Sequence, residues 1–312
     1  MNREYLRWYS PRLEREMELL VFGHAGAKVL MFPTRDGRFW QYEQIGIVGS
    51  LAEKLNAGQL QLYCIEGLAG ETFYGWGRHP SERIRRHRAF EEYILNEVLP
   101  LMAQKNGHEC TIVQGCSLGA FQAASLAFRH PHLFRKLVAF SGRYDLTMRV
   151  EAFSDLFDGY YDDEIYFHTP THFLPGLACE WQLEKLRQLE IVLTIGDADP
   201  FLDNNHYLSR LLADKQINHR LHVWDGRAHK AGACSTSERH PVLSKPVCLN
   251  ETERDRLDGL VRTVIALMRA TMLLFVACGK VDQHAFHHAV GIGSGVIRLD
   301  FRLRSHDLQI HL

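Results

Sequence analysis

The chain has no C-x-x-C pair, and its seven cysteines (Cys64, Cys110, Cys116, Cys179, Cys234, Cys248 and Cys278) are odd in number and scattered. This spacing argues against a disulfide framework and against a zinc ribbon, and it predicts reduced thiols in a cytoplasmic protein. Charge of one sign is also missing. A formal net charge of −1 leaves no electrostatic footprint for nucleic acid or an anionic membrane. The local basic run Arg83, Arg85, Arg86 and Arg88 is interleaved with Glu82, Glu91 and Glu92, which reads as a solvated helix face. No apolar run is long enough to cross a bilayer. Leu260 to Cys278 comes nearest, but Arg262 and Arg269 interrupt it on one helical face. The first residues, Met1 to Tyr5, are polar and carry no apolar signal core, in keeping with a cytoplasmic location. No internal repeat is present. Gly291 to Gly295 lacks the flanking strand and helix of a dinucleotide loop. His284, His287 and His288 lack cysteine or carboxylate partners at ligand spacing, so no metal or other cofactor is expected.

Hydrophobic residues make up 46% of the 312, enough for a large core. Short apolar, β-prone runs recur: Met17–Phe22, Lys28–Phe32, Gln59–Ile65, Cys110–Gln114, Leu137–Phe140, Ile191–Ile195 and Leu221–Trp224. Gly23 to Gly26 reads as the turn joining the first two. Helical stretches lie between later strands. One runs from an N-cap at Ser81 towards Leu99, another follows Gly119, and a third spans Asn204 to Lys215. Strands alternating with helices predict an α/β fold with a mostly parallel sheet. Residues 145–180 read as an irregular, aromatic and acidic insertion.

Gly115-Cys116-Ser117-Leu118-Gly119 fits G-x-S-x-G, with a buried strand before it and an apolar helix after it. That is the setting of a nucleophile elbow, a turn so sharp that its flanking residues have no room for a Cβ. A serine hydroxyl needs a basic partner, and the base needs an acid to orient it; in this architecture they follow in the order serine, acid, histidine. The loop after Ile195 offers two acids, Asp197 and Asp199. Asp199 is favoured because it lies further into the loop, ahead of Pro200. The loop after Trp224 carries His229. His222, His206 and His219 fall on strand or surface positions. The oxyanion donors are expected to be the N–H of Leu118 and one from Thr34 or Arg35 in the loop after Phe32. Cys116 is expected to point away from the apex. Phe73, Tyr74, Trp76, Tyr160 and Tyr161 are candidate walls of a substrate pocket.

Residues from about Ser10 to His229 resemble the esterase family of α/β-hydrolases, which contains esterase D-like enzymes and antigen 85-type acyltransferases. The resemblance rests on Val29–Pro33, the helix Arg88–Leu101, Gly115–Ala120, Arg129–Phe134 with Ser141-Gly142, Gly196–Asp199 and Asp225–His229. It implies an α/β-hydrolase fold and a triad of Ser117, Asp199 and His229. It also implies cleavage of a small-molecule carboxylic ester through an acyl-enzyme, without a cofactor. Transfer of the acyl group to an alcohol, or a non-catalytic binding role for the same fold, are the alternatives. The expected layout is a catalytic domain over 1–230, with a cap-like insertion at 145–180. A C-terminal extension over 231–312 would follow, with a closing helix near 251–275. Family members end soon after the histidine, whereas here 83 residues follow it. Either the tail is a genuine appendage or the reading frame shifts just after His229.

Overall fold

A computed structural model describes residues 1–225. Eight strands form one sheet: β1 (Arg3–Ser10), β2 (Arg15–Phe22), β3 (Ala27–Phe32), β4 (Leu60–Ile65), β5 (Thr111–Cys116), β6 (Lys136–Phe140), β7 (Glu190–Gly196) and β8 (His219–Trp224). Their spatial order is β1-β2-β4-β3-β5-β6-β7-β8. β2 runs antiparallel to both neighbours, and every pairing from β4 to β8 is parallel.

The central strands are apolar without alternation because both faces of a parallel sheet are covered. In β3, Leu30 and Phe32 enter one core while Val29 and Met31 enter the other. Three short helices, α1 (Gln41–Gln44), α2 (Ile47–Ser50) and α3 (Ala52–Asn56), close the second face through Tyr42, Val48 and Leu55. The first face is covered by α4 (Pro80–Tyr93), which runs through a π turn into α5 (Leu99–Lys105), and by α6 (Leu118–Arg129). Downstream lie α7 (Asp163–His168), α8 (Pro170–Gly176), α9 (Glu180–Gln188) and α10 (Leu202–Asp214). Each fully buried large side chain in these cores contributes roughly 1.5–3 kcal/mol.

Several expectations need correction. β1 went unread, although Leu6 and Trp8 alternate with exposed Tyr5, Arg7 and Tyr9 as an edge strand requires. Gly23 to Gly26 does join β2 to β3, but the two strands do not pair, because β4 lies between them. The glycines of their connection serve a close passage over β4. A Cβ on Gly23 (φ 88°) would sit 2.6 Å from Leu60 O, and one on Gly26 (φ 86°) 2.3 Å from Gln59 O. The cap of α4 is His79, whose Nδ1 accepts the Ser81 N–H at 3.3 Å, with Pro80 at the first helical position. Residues 145–180 are not simply irregular, because they contain α7, α8 and the start of α9. The former solvated face is also only partly so. Arg85 and Arg88 are exposed, but Arg83 is 1% exposed and donates to Leu156 O at 2.7 Å, to Phe73 O at 3.4 Å and to the Asp158 carboxylate. That side of α4 packs under the 153–160 segment, whose carbonyls would otherwise be buried without donors.

The region from Gly226 onward lies outside the described residues, and with it His229, the proposed 231–312 extension and the 251–275 helix.

Candidate active site

Ser117 stands between the last residue of β5 and the first of α6 with φ 57° and ψ −118°. A side chain there is held in a sparsely populated region, a strain found mainly at functional sites. The Ser117 N–H donates to Phe140 O at 2.9 Å, which ties the turn to β6. Its flanking glycines are required sterically. A Cβ on Gly115 would lie 2.1 Å from Gly119 O, and one on Gly119 would lie 2.4 Å from Pro33 O. Ser117 O accepts from the N–H groups of Ala120 and Phe121. The N–H groups of Leu118 and Gly119 lie in the first turn of α6, where a helix has no internal acceptors, so they suit a developing anion. Burial pushes the adjacent Cys116 thiol up to about 12, and the charge of Asp199 adds to the effect. The neutral thiol, a poor nucleophile, is thereby favoured at Cys116.

β3 lies beside β5 with Phe32 opposite Gly115, so the loop after β3 begins next to the elbow. Tyr42 anchors that loop by donating its hydroxyl to Phe32 O at 2.7 Å. The Thr34 N–H is already committed, because it donates to Gln41 Oε1 at 2.9 Å while Gln41 Nε2 donates to Thr34 Oγ1 at 2.6 Å. Arg35 is the other candidate donor of this loop. The Arg35 guanidinium pairs with Asp36 and lies 5.0 Å from the ring centre of Tyr74.

The two candidate acids have different environments. Asp197 is exposed, and its N–H donates to Trp224 O at 2.7 Å. Asp199 is 4% exposed, and its Oδ1 accepts the Phe201 N–H at 2.9 Å. Its charge also reaches the phenol of Tyr144, which burial raises far above its ordinary value. Arg143 braces the neighbouring loop. It donates to Asp145 O, Leu146 O, Met148 O and Ser154 O, and its guanidinium lies 5.5 Å from the Phe201 ring. Gly196 at the end of β7 is opposite Trp224 at the end of β8, so β8 ends beside the Asp197–Asp199 loop. His229 itself lies outside the described residues. His206 is exposed; His219 and His222 are half-buried, and His219 Nε2 is bonded to Ser209 Oγ at 2.7 Å.

The aromatic candidates divide. Tyr74 and Trp76 meet edge to face at 5.7 Å, with Arg83 over the Trp76 ring, and Trp76 is 54% exposed. Tyr74 stands beside Arg35 and packs against the small core that includes Leu118 of the elbow. Phe73 is a correction. It is fully buried and packs edge to face on Phe121 of α6 and on Phe157, so it supports the wall from behind. Tyr160 packs with Tyr74 against the same small core, which includes Leu118 of the elbow. Tyr161 is exposed and bonded to His172 Nδ1 at 2.9 Å, while His172 Nε2 pairs with Asp145 at 3.0 Å. Gln41, Arg83 and Arg143 were not read as site-forming from the sequence. Their partners are mostly backbone carbonyls or a loop N–H, which carry no mark in the sequence.

Residues 72–235, more than half of the chain, match the family described as "Putative esterase". Among solved structures, a ferulic acid esterase is 13% identical, with a TM-score of 0.59 over 72% of this chain and 90% of its own. A fluorophosphonate-binding serine hydrolase of Staphylococcus aureus is 13% identical, with a TM-score of 0.58 over 86% of this chain and 98% of its own. S-formylglutathione hydrolase from the same organism is 13% identical, with a TM-score of 0.54 over 86% and 97%. At these identities the likeness is one of fold. No curated protein sequence matches the chain.

Proposed function

The chain belongs to the esterase family and is a carboxylic ester hydrolase of the α/β-hydrolase fold, and we propose that it acts through Ser117, His229 and Asp199 by way of an acyl-enzyme. The observation that carries this reading is the conformation of Ser117, a strained serine at the start of α6 between two glycines that cannot be replaced without a clash. His229 takes the hydroxyl proton as Ser117 attacks the ester carbonyl, and Asp199 holds the imidazole and stabilises its charged form. The burial of Asp199 beside an exposed Asp197 favours it for that role. The N–H groups of Leu118 and Arg35 receive the oxyanion. Proton return from His229 releases the alcohol, and water then repeats the sequence to release the acid.

Tyr74 and Trp76 form the wall nearest the elbow, with Tyr160 beyond them. In this reading residues 1–230 make up the catalytic unit and 145–180 its cap. Cys64, Cys110, Cys116 and Cys179 are free thiols, which supports a reducing, cytoplasmic setting. No helix among the described residues is long and apolar enough to cross a membrane.

The test is hydrolysis of p-nitrophenyl acetate by the full chain, Ser117→Ala and His229→Ala, with mass spectrometry of the quenched enzyme. The expected result is an acetyl adduct on wild type and a rate loss of about a thousandfold or more in each variant. Equal rates in wild type and Ser117→Ala would overturn the mechanism.

A further inference from the structure

Behind the elbow helix lies a second group of chemistry-bearing side chains that ester hydrolysis does not use. His87 and Glu91 are four residues apart on the inward face of α4, and His168 is the last residue of α7. All three are buried, and one ligand atom from each lies within 4.8 Å of the others. We propose that His87, Glu91 and His168 form a structural site for a divalent transition-metal ion of the zinc class.

The polar groups of this cluster are arranged as metal ligands are. Both ring nitrogens of His87 are buried without a hydrogen-bond partner among the described residues, at 3% residue exposure. A native core seldom tolerates such an orphan unless something else occupies the space. His168 Nδ1–H donates to Glu164 O at 2.7 Å. That bond fixes the tautomer and turns the bare Nε2, also without a partner, towards Glu91. A backbone carbonyl orienting a ligating histidine in this way is the usual outer support of a metal site. Glu91 divides its carboxylate. Oε1 accepts from Arg129 at 2.5 Å and from His130 at 3.2 Å, while Oε2 faces His168 Nε2 at 3.9 Å.

Two imidazoles and a carboxylate, with a fourth position for water, are a ligand set that zinc accepts. Ligand atoms around tetrahedral zinc stand about 3.4 Å apart, so the set has to close by at most about 1.4 Å, within the reach of side-chain rotation. Burial pushes His87 down to about 3. Burial opposes ionisation of Glu91, but His130 and Arg129 hold it down to about 2. Arg129 brings a positive charge to the cluster, and Glu164 Oε2 lies 3.7 Å from His168 Nδ1 while its Oε1 pairs with Arg88.

The consequence is mechanical. His87 packs on Phe73 at 4.5 Å and near Phe121 of α6 at 6.2 Å, and the His168 carbonyl accepts the Ser125 hydroxyl at 2.8 Å. An ion at the cluster would pin α7 and the insertion to α4 and α6, and so hold the wall that carries Tyr74 and Tyr160.

The test uses the full chain stripped with chelator and titrated with zinc chloride, followed by bound-metal analysis and thermal melting. Cobalt(II) loading of wild type is read in the visible spectrum. The expected result is a zinc-dependent rise in melting temperature, one equivalent that His87→Gln and His168→Gln bind at least about 100-fold more weakly, and tetrahedral cobalt bands. Because the cobalt spectrum is read on wild type, it does not depend on either variant folding. Absence of both the bands and the rise in melting temperature overturns the proposal. So does an unchanged zinc response in the two variants, which would assign the metal to other histidines.

Discussion

Replacing Ser117 by glycine is expected to give a more stable protein than replacing it by alanine, although neither variant hydrolyses esters. The reason is the backbone. At φ 57° and ψ −118°, a residue with a Cβ carries strain of about 1–3 kcal/mol, which glycine does not. Glycine also loosens the unfolded chain, which offsets roughly 0.4–1 kcal/mol. The balance is about 1 kcal/mol in favour of glycine, a shift of roughly 2–4 °C in melting temperature for a domain of this size. Urea unfolding of Ser117→Gly and Ser117→Ala, followed by circular dichroism, measures the difference directly. A second pair supplies the opposite sign. Ser125 sits inside α6, and there glycine is expected to be about 1 kcal/mol less stable than alanine. If alanine proves as stable as glycine at position 117, the strained elbow is wrong, and the structural argument for the nucleophile falls with it.

Three further outcomes follow from the geometry. Asp199→Asn is expected to lower kcat/KM with p-nitrophenyl acetate by about 10³–10⁴-fold and Asp197→Asn by less than about tenfold, because only Asp199 is buried; the reverse ranking would make Asp197 the acid. Arg83→Met leaves the carbonyls of Phe73 and Leu156 without their donor and is expected to cost about 2–5 kcal/mol in urea unfolding, whereas Asp158→Asn, at a residue 62% exposed, costs no more than about 1 kcal/mol. His87 is held down to about 3 by burial, so below its ordinary value of 6.5 the unfolded chain takes up a proton that the folded chain refuses. Its contribution is complete above pH 6.5 and is lost as pH falls, at about 1.4 kcal/mol per pH unit. The chelator-treated protein should thus lose roughly 2 kcal/mol between pH 6.5 and 5, and His87→Gln should lack that component.

The glycine-flanked turn at Ser117, the strands β2 to β8 and the acids after β7 are legible without coordinates. Each is written in adjacent residues: glycines around Ser117, unbroken apolar runs, acids just past a strand end. Sheet order is not written that way: β2 and β3 are consecutive in the chain, yet β4 separates them in the sheet.

The same limit governs the site. Asp197 and Asp199 are nearly equivalent as sequence, and only the packing of the loop after β7 buries one and exposes the other. Thr34 and Arg35 are equally placed until Gln41 takes the Thr34 N–H. Phe73 looks like a pocket wall until α6 covers it. The charged face of α4 is the clearest case. Arg83 and Glu91 read as solvated, with His87 between them at helical spacing, yet the insertion folds over them, and His168 arrives from a distant part of the chain. Local steric and hydrophobic rules determine where a nucleophile can stand. Which polar groups surround it depends on long-range packing, because burial and hydrogen-bond partners are properties of the assembled layers and not of any one segment.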